Sequence, residues 1–550
     1  MEARPVVTDV SRRELLRLAG ATAAGAALAL PAARPADAQA PKRGGVFRIC
    51  AVADPSGFDP HLTINWWTQI CLSFTHSRLL KHRAGPTIQP GTFPLEGDLA
   101  ESWTQASDTT YLFKLRKGVR WHAKPPVNGR ELTADDVKYT YERFLTIKGN
   151  PSRTVLEQID RVDALDRHTV KFTLKEPFAW FPDALASTTT WIVAREAVEQ
   201  HGDLRKPEAC VGTGPWMLER YEPNVRVTYV RNLGYFLSGL PYADGIDLNV
   251  DADASSRLAA WLSGRYDFAP EYGMVVRRTD LDVVRRRKPS LQSADYVWMI
   301  TGVTAMKLDQ EPFRDVRVRR ALATASNWRA TLESLGIYDG HGAPSPAIPP
   351  ALAEWAIPIG QLPPEGQRLY EHNPTEARRL LGEAGHPGGF KTTVETTPGF
   401  GPDFMDSVQI ALRNWKDIGV EIDLKLKEMG AFISSSIFGR YEKMMLTIRG
   451  GPLYPDPYLS SWHLPGQLLN SAGVNDAKLT ELIRLQRRTF EVARRREILY
   501  DIQRYLSQQA YYLWGPAGKV VSAWEPYVRN FAPNLGNDYG GRLTTAWLDR

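Results

Sequence analysis

Two adjacent carboxylates at Asp135 and Asp136, a glycine-rich passage from Val211 to Trp216 and three cysteines are where this sequence could concentrate chemistry. Paired carboxylates could divide acid and base work between them, but neighbours on a helix point about 100° apart. Thr133 followed three residues later by Asp136 reads instead as a helix start, the acid answering the N-terminal dipole. The passage Val211-Gly212-Thr213-Gly214-Pro215-Trp216 could cradle a phosphate, yet it has neither the Walker spacing nor G-x-G-x-x-G. A fixed corner between two structural units is expected there, because proline withholds a donor and glycine admits positive φ. Cys50, Cys71 and Cys210 carry no metal or C-x-x-C spacing, and at most one pair can join. H-E-x-x-H and G-x-S-x-G are absent, as is any histidine pair with ligand spacing. These residues compose no catalytic centre and call for no cofactor or metal.

The elements needed to position a site are those of a large folded chain. Its 550 residues exceed one core and suggest about three domains. With 43% hydrophobic and 24% charged residues the composition is globular. The charge of +6 is the small difference between 68 basic and 62 acidic side chains, which argues against a nucleic-acid partner. Arg285-Arg286-Arg287-Lys288 and Arg494-Arg495-Arg496 read as solvated faces. At the N-terminus, Arg12-Arg13 precede a weakly apolar Ala/Gly/Leu run from Leu18 to Leu30, the pattern of a twin-arginine export signal. Cleavage is expected near Ala38, giving a periplasmic protein without a lipid anchor.

Further along, Val225, Val227 and Tyr229 alternate with polar residues, a half-buried strand with a hairpin turn at Glu222-Pro223-Asn224. Val137, Thr140, Tyr141 and Phe144 form the buried stripe of the helix started by Thr133. Asn373-Pro374-Thr375-Glu376 is a capped helix start, followed by Ala377, Leu380, Leu381 and Ala384 on one face. Trp66 and Trp67 cannot share one face, so one of them is expected to line a cleft.

Gly212-Thr213-Gly214-Pro215-Trp216, Leu132-Thr133-Ala134-Asp135-Asp136-Val137, Gly264-Arg265-Tyr266-Asp267, Pro312-Phe313-Arg314-Asp315-Val316-Arg317 and Leu380-Leu381-Gly382-Glu383-Ala384-Gly385 occur in this order. Together they resemble family 5 of the solute-binding proteins of ABC importers, the peptide, nickel and opine binders. The resemblance covers nearly all of the chain after the signal. It implies an α/β, periplasmic binding protein type II-like fold: two lobes with a hinge and an extra third domain. Residues 1–38 would be the signal, 39–76, 191–302 and 516–550 the first domain, 77–190 the second and 303–515 the third. The protein would not be an enzyme. It would act as a monomer, close on a small-molecule or peptide solute and meet an inner-membrane ABC permease transiently.

Family position suggests ligand contacts from Asn65, Trp66, Thr304, Met429, Phe432, Arg449, Gly450, Leu453, Tyr454 and Asp456. Peptide-binding relatives carry an aspartate for the α-ammonium three residues before the acidic-Pro pair. Here that position is Leu453, which cannot pair a cation. A peptide held by its N-terminus would therefore need Asp456 or Glu428, while Arg449 would suit a carboxylate or phosphate, or serve an ion pair. An oligopeptide, an opine or other acidic conjugate, and an oligosaccharide all stay open as ligands. So do two other classes, an exported cofactor enzyme and a periplasmic sensor or chaperone.

Overall fold

The computed structural model describes residues 40–89, 91–269, 278–335, 343–344, 347–533 and 536–550. The expected export signal lies outside the described residues, and everything below belongs to the unit Lys42–Arg550.

Three sheet systems organise this unit. In the first, Val46–Ala51 runs parallel to Gly245–Val250, which continues antiparallel through Arg226–Arg231 to Trp216–Glu222. Alternation puts Phe47, Ile49, Ile246, Leu248, Val227 and Tyr229 into one core with the helix Trp66–Thr75. The predicted hairpin closes with Asn224 at φ +59, a left-handed position that asparagine tolerates. A three-stranded sheet, Phe268–Ala269, Lys519–Trp524 and Gln292–Val297, adjoins it.

The second system is an antiparallel sheet ordered Ala100–Ser107, Thr110–Leu115, Thr169–Leu174, Ile159–Asp166, covered by the helix Ala134–Thr146. That helix starts as read: the Asp136 carboxylate accepts from Thr133 N at 2.8 Å, and its other bonds come from the Thr133 hydroxyl and Arg130, so it holds structure. The third is five-stranded, Val420–Leu426, Phe390–Thr396, Met444–Arg449, Thr301–Met306, Tyr512–Trp514. Asn373 caps the helix Pro374–Glu383 beside it, accepting from Glu376 N at 3.0 Å.

The Gly-Thr-Gly-Pro passage is a corner pinned between the first and second systems. Gly212 O accepts from His122 N at 2.8 Å, and the His122 ring reaches back to Gly212 N and Gly214 O. A Cβ on Gly212 would stand 1.9 Å from Thr75 O and one on Gly214 2.5 Å from Thr75 C, so the close approach to the helix end requires glycine. Between the first and third systems the chain crosses twice, side by side. Gln292–Val297 leads into Thr301–Met306, and Tyr512–Trp514 returns into Lys519–Trp524. The crossings bond to each other through Trp298 N to Gly518 O at 3.0 Å and Gly515 N to Gly302 O at 2.7 Å.

Candidate functional site

A cavity of about 780 Å³ opens where those paired crossings pass between the first and third systems. One wall comes from Val52, Trp66 and the helix Ala254–Leu262, the other from the third sheet and the helices Trp328–Ser334 and Pro402–Lys416. Aromatic residues, including Trp298, Trp328 and Trp514, contribute to both walls and the crossings between them. Among the described lining residues the charged ones are Arg257 and Asp403. Arg257 donates to Asp251 O at 2.6 Å, while its buried Nε has no partner among the described residues.

Of the residues suggested by the sequence, Trp66 and Thr304 line this cavity, and neighbouring Trp67 is buried. Asn65 is not among the lining residues, and its side chain caps the Trp66–Thr75 helix, accepting from Thr68 N. Gly450 packs against Trp66: a Cβ there would lie 3.1 Å from the indole. Met429 packs against Gly399, and Phe432 is in the core. Leu453 and Tyr454 belong to the core shared by the second and third systems. Glu428 caps its own helix, accepting from Ala431 N at 2.9 Å.

Asp456 is 2% exposed and fully engaged. It accepts from Gln486 Nε2 at 2.7 Å and from the Ser460 hydroxyl, and the Arg487 guanidinium stands 3.1 Å away. Gln486 in turn accepts from the Trp180 indole at 2.7 Å, and Arg487 O accepts from Ala179 N. The aspartate thus ties the second system to the third.

Arg449 is buried at 4% exposure with its guanidinium 4.3, 4.5 and 4.6 Å from the ring centroids of Tyr458, Trp462 and Trp514. Its hydrogen bond goes to Ala347 O at 3.4 Å, and no carboxylate pairs with it among the described residues. Burial lowers its pKa to about 9. Trp514 stands between this cage and the cavity it lines. Sequence reading missed Arg257, Trp298, Trp328, Asn414 and Trp415. For the three tryptophans the signal was aromatic richness, which does not tell a wall from a core, and Arg257 and Asn414 carried none.

All three cysteines are buried and free of disulfides, and burial pushes Cys50 and Cys71 to about 12 and Cys210 to about 11. Among the described residues no cluster of acids, histidines and cysteines could hold a metal, and no helix is long and apolar enough to cross a membrane.

With this geometry established, the model for "Bacterial extracellular solute-binding proteins, family 5 Middle" matches residues 94–468. The chain belongs to that family. The "Di/tripeptide-binding protein 1" of Pseudomonas aeruginosa is 28% identical over 84% of this chain and 87% of its own length. The "Dipeptide-binding protein" of the same species (strain PAO1) is 27% identical over 89% and 94%. The fold is that of a Helicobacter pylori periplasmic binding protein solved with the peptide STSA, at TM-score 0.78, 21% identity and 92% and 99% coverage. A binding protein from A. tumefaciens R10 solved with agropinic acid superposes at TM-score 0.77, with 22% identity and 92% and 99% coverage.

In this family 5 chain, Arg449 is a buried cation without an acid among the described residues, so its desolvation is offset by three aromatic faces and one long hydrogen bond to Ala347 O. Arg449→Met, an apolar replacement of similar length, is expected to change stability by less than about 1 kcal/mol or to raise it. The urea midpoint measures this, and a loss above about 2 kcal/mol would show that the three rings outweigh desolvation.

Proposed function

We propose that this protein is the periplasmic substrate-binding component of an ABC importer, capturing an oligopeptide or peptide-like solute between two lobes. The observation that carries this reading is the cavity on the paired crossings. Bending at residues 298–300 and 515–518, outside the paired strands of these two sheets, would close its two walls on a solute. The first domain is then 39–76, 191–302 and 516–550, the second 77–190 and the third 303–515. The protein leaves the cytoplasm by the twin-arginine route, works as a monomer, does no covalent chemistry and presents its closed form to an inner-membrane permease. The di- and tripeptide-binding relatives support a peptide-like solute.

A second reading, an opine or other acidic conjugate, is favoured by Leu453 in place of an acid and by Arg257 in the wall with an unpartnered Nε. The agropinic acid complex of a structural neighbour is in keeping with it.

The test is a thermal-shift screen of the ligand-stripped mature protein against di- and tripeptides, N-blocked peptides, opines and oligosaccharides. Ligand at 100-fold its Kd adds about 2.7 kcal/mol. Free peptides should raise the melting temperature, and Trp66→Ala should remove the shift while leaving the apo melt in place. A shift with opines or acidic conjugates alone moves the protein to the second reading. A shift with oligosaccharides alone, or no shift at all, sinks both.

A further inference from the structure

Most polar atoms on the third-domain side of the cavity are already engaged. The hydroxyls of Ser326, Thr331, Ser407 and Ser507 donate to carbonyls of their own helices or the turn before them, at 2.8, 3.2, 2.6 and 2.7 Å. The Trp415 indole donates to Leu322 O at 3.0 Å and the Trp328 indole to Tyr370 O at 2.6 Å, so these rings offer the cavity carbon faces. The Asn327 carboxamide oxygen is taken by Ala330 N.

The Asn327 amide nitrogen and the Thr304 hydroxyl have no bond among the described residues, and two larger lining groups share that state. Asn414 is 9% exposed, and its carboxamide has no hydrogen bond among the described residues. Tyr370 keeps part of its surface accessible, and its phenol is likewise unbonded among the described residues. Burial raises its pKa.

The helix Pro402–Lys416 faces the cavity with Phe404, Ser407, Ala411, Asn414 and Trp415, spaced as one helical stripe. Those residues span roughly 16 Å of wall at 1.5 Å per residue. Asp403 in the first turn is the charged group at one end, and beyond it this stripe carries none. A charged group entering alongside Asn414 would leave water without an opposite charge to meet it, whereas a neutral ring would lose nothing polar.

We propose that the part of the cavity walled by Trp328, Tyr370, Asn414 and Trp415 is a specificity chamber for an uncharged ring bearing one neutral hydrogen-bonding group, selected by Asn414 and Tyr370. This rests on the cavity being the solute site, and it names the chemistry of one end of the solute.

Saturation-transfer NMR on the ligand-stripped mature protein tests it with p-cresol, benzoate and benzylamine, whatever the natural solute is. p-Cresol should bind, and its two charged counterparts should bind at least about tenfold more weakly. Ala411→Phe, which fills the chamber, should abolish p-cresol binding while circular dichroism and melting show an intact fold. Asn414→Asp should invert the preference, with benzylamine gaining about tenfold. Equal binding of the charged probes, no binding of p-cresol, or p-cresol binding that survives Ala411→Phe overturns the chamber. Failure of the solute screen with p-cresol behaving as expected removes the importer reading and leaves the chamber standing.

Discussion

Asp59→Ala is expected to destabilise the protein by about 3–5 kcal/mol, because it orphans a buried guanidinium. Asp59 is 1% and Arg143 8% exposed, and they meet through two parallel bonds, Nη1 to Oδ1 at 3.1 Å and Nη2 to Oδ2 at 2.5 Å. The same carboxylate accepts from His61 N at 3.0 Å and Leu204 N at 3.1 Å. Burial, the largest single cause, would raise the Asp59 pKa; the hydrogen bonds and charge of Arg143 together with His61 outweigh it and hold the carboxyl below its usual range. Alanine removes four acceptor contacts at once and leaves Arg143 with the His61 ring nitrogen at 2.7 Å. A chemical-denaturation midpoint measures the loss. Asp59→Ala combined with Arg143→Met should recover part of it, since the orphaned charge goes too. A single-variant loss under about 1 kcal/mol would mean that water reaches Arg143 and no buried charge is stranded. Arg449→Met removes a buried cation that has no carboxylate to strand, and so should cost far less than Asp59→Ala, which leaves one behind.

That pair also marks where sequence reading stops. Elements governed by near neighbours were legible: the Thr133–Asp136 helix start, the Asn373 cap and the hairpin over Asn224 each rest on groups within three residues. Ordered motifs then gave the family, because order survives where identity has fallen below a third. Partners distant in sequence carried no signal. Asp59 finds Arg143 across 84 residues, and Asp456 meets Gln486 and through it Trp180. Arg449 looked available to a ligand because position in the segment says nothing of Tyr458, Trp462 and Trp514 converging on it. Two of those rings lie four residues apart on one helix, a spacing that could have suggested a stacked cation. The cavity wall was less legible still. Asn414 and Trp415 sit at the end of an ordinary amphipathic helix, and only the packing of Trp328–Ser334 against it decides that they face open space.

The second large effect is acid sensitivity, for which the buried histidines are responsible. His61, His76 and His463 are held down to about 3, and His82 and His122 to about 4, burial being the largest cause in each. All five are neutral in the folded state at pH 5, whereas in the unfolded chain they titrate near the ordinary value of about 6.5. Below that value the unfolded state binds protons that the folded state refuses, so stability falls as pH falls, and it is level above about pH 7. Each ring contributes a slope approaching 1.4 kcal/mol per pH unit, roughly, between about 6 and its folded value. Asp183 opposes them: burial raises it to about 7, so it takes up its proton in the folded state first and gains stability over much of the same window. Asp98 and Glu157, also raised by burial, act in the same direction nearer their ordinary range. Four or so uncompensated protons remain, which amounts to several kcal/mol lost between pH 7 and pH 5. The melting temperature should therefore hold between pH 8 and 7 and drop steeply below 6. His463→Gln, which removes a ring packed edge-on to Tyr512 behind the cavity wall, should make that drop shallower by about one proton. A melting temperature unchanged from pH 7 to 5 would mean that the folded protein admits protons to these imidazoles. The packing of His61 against Phe144 and of His463 against Tyr512 would then have to open without unfolding.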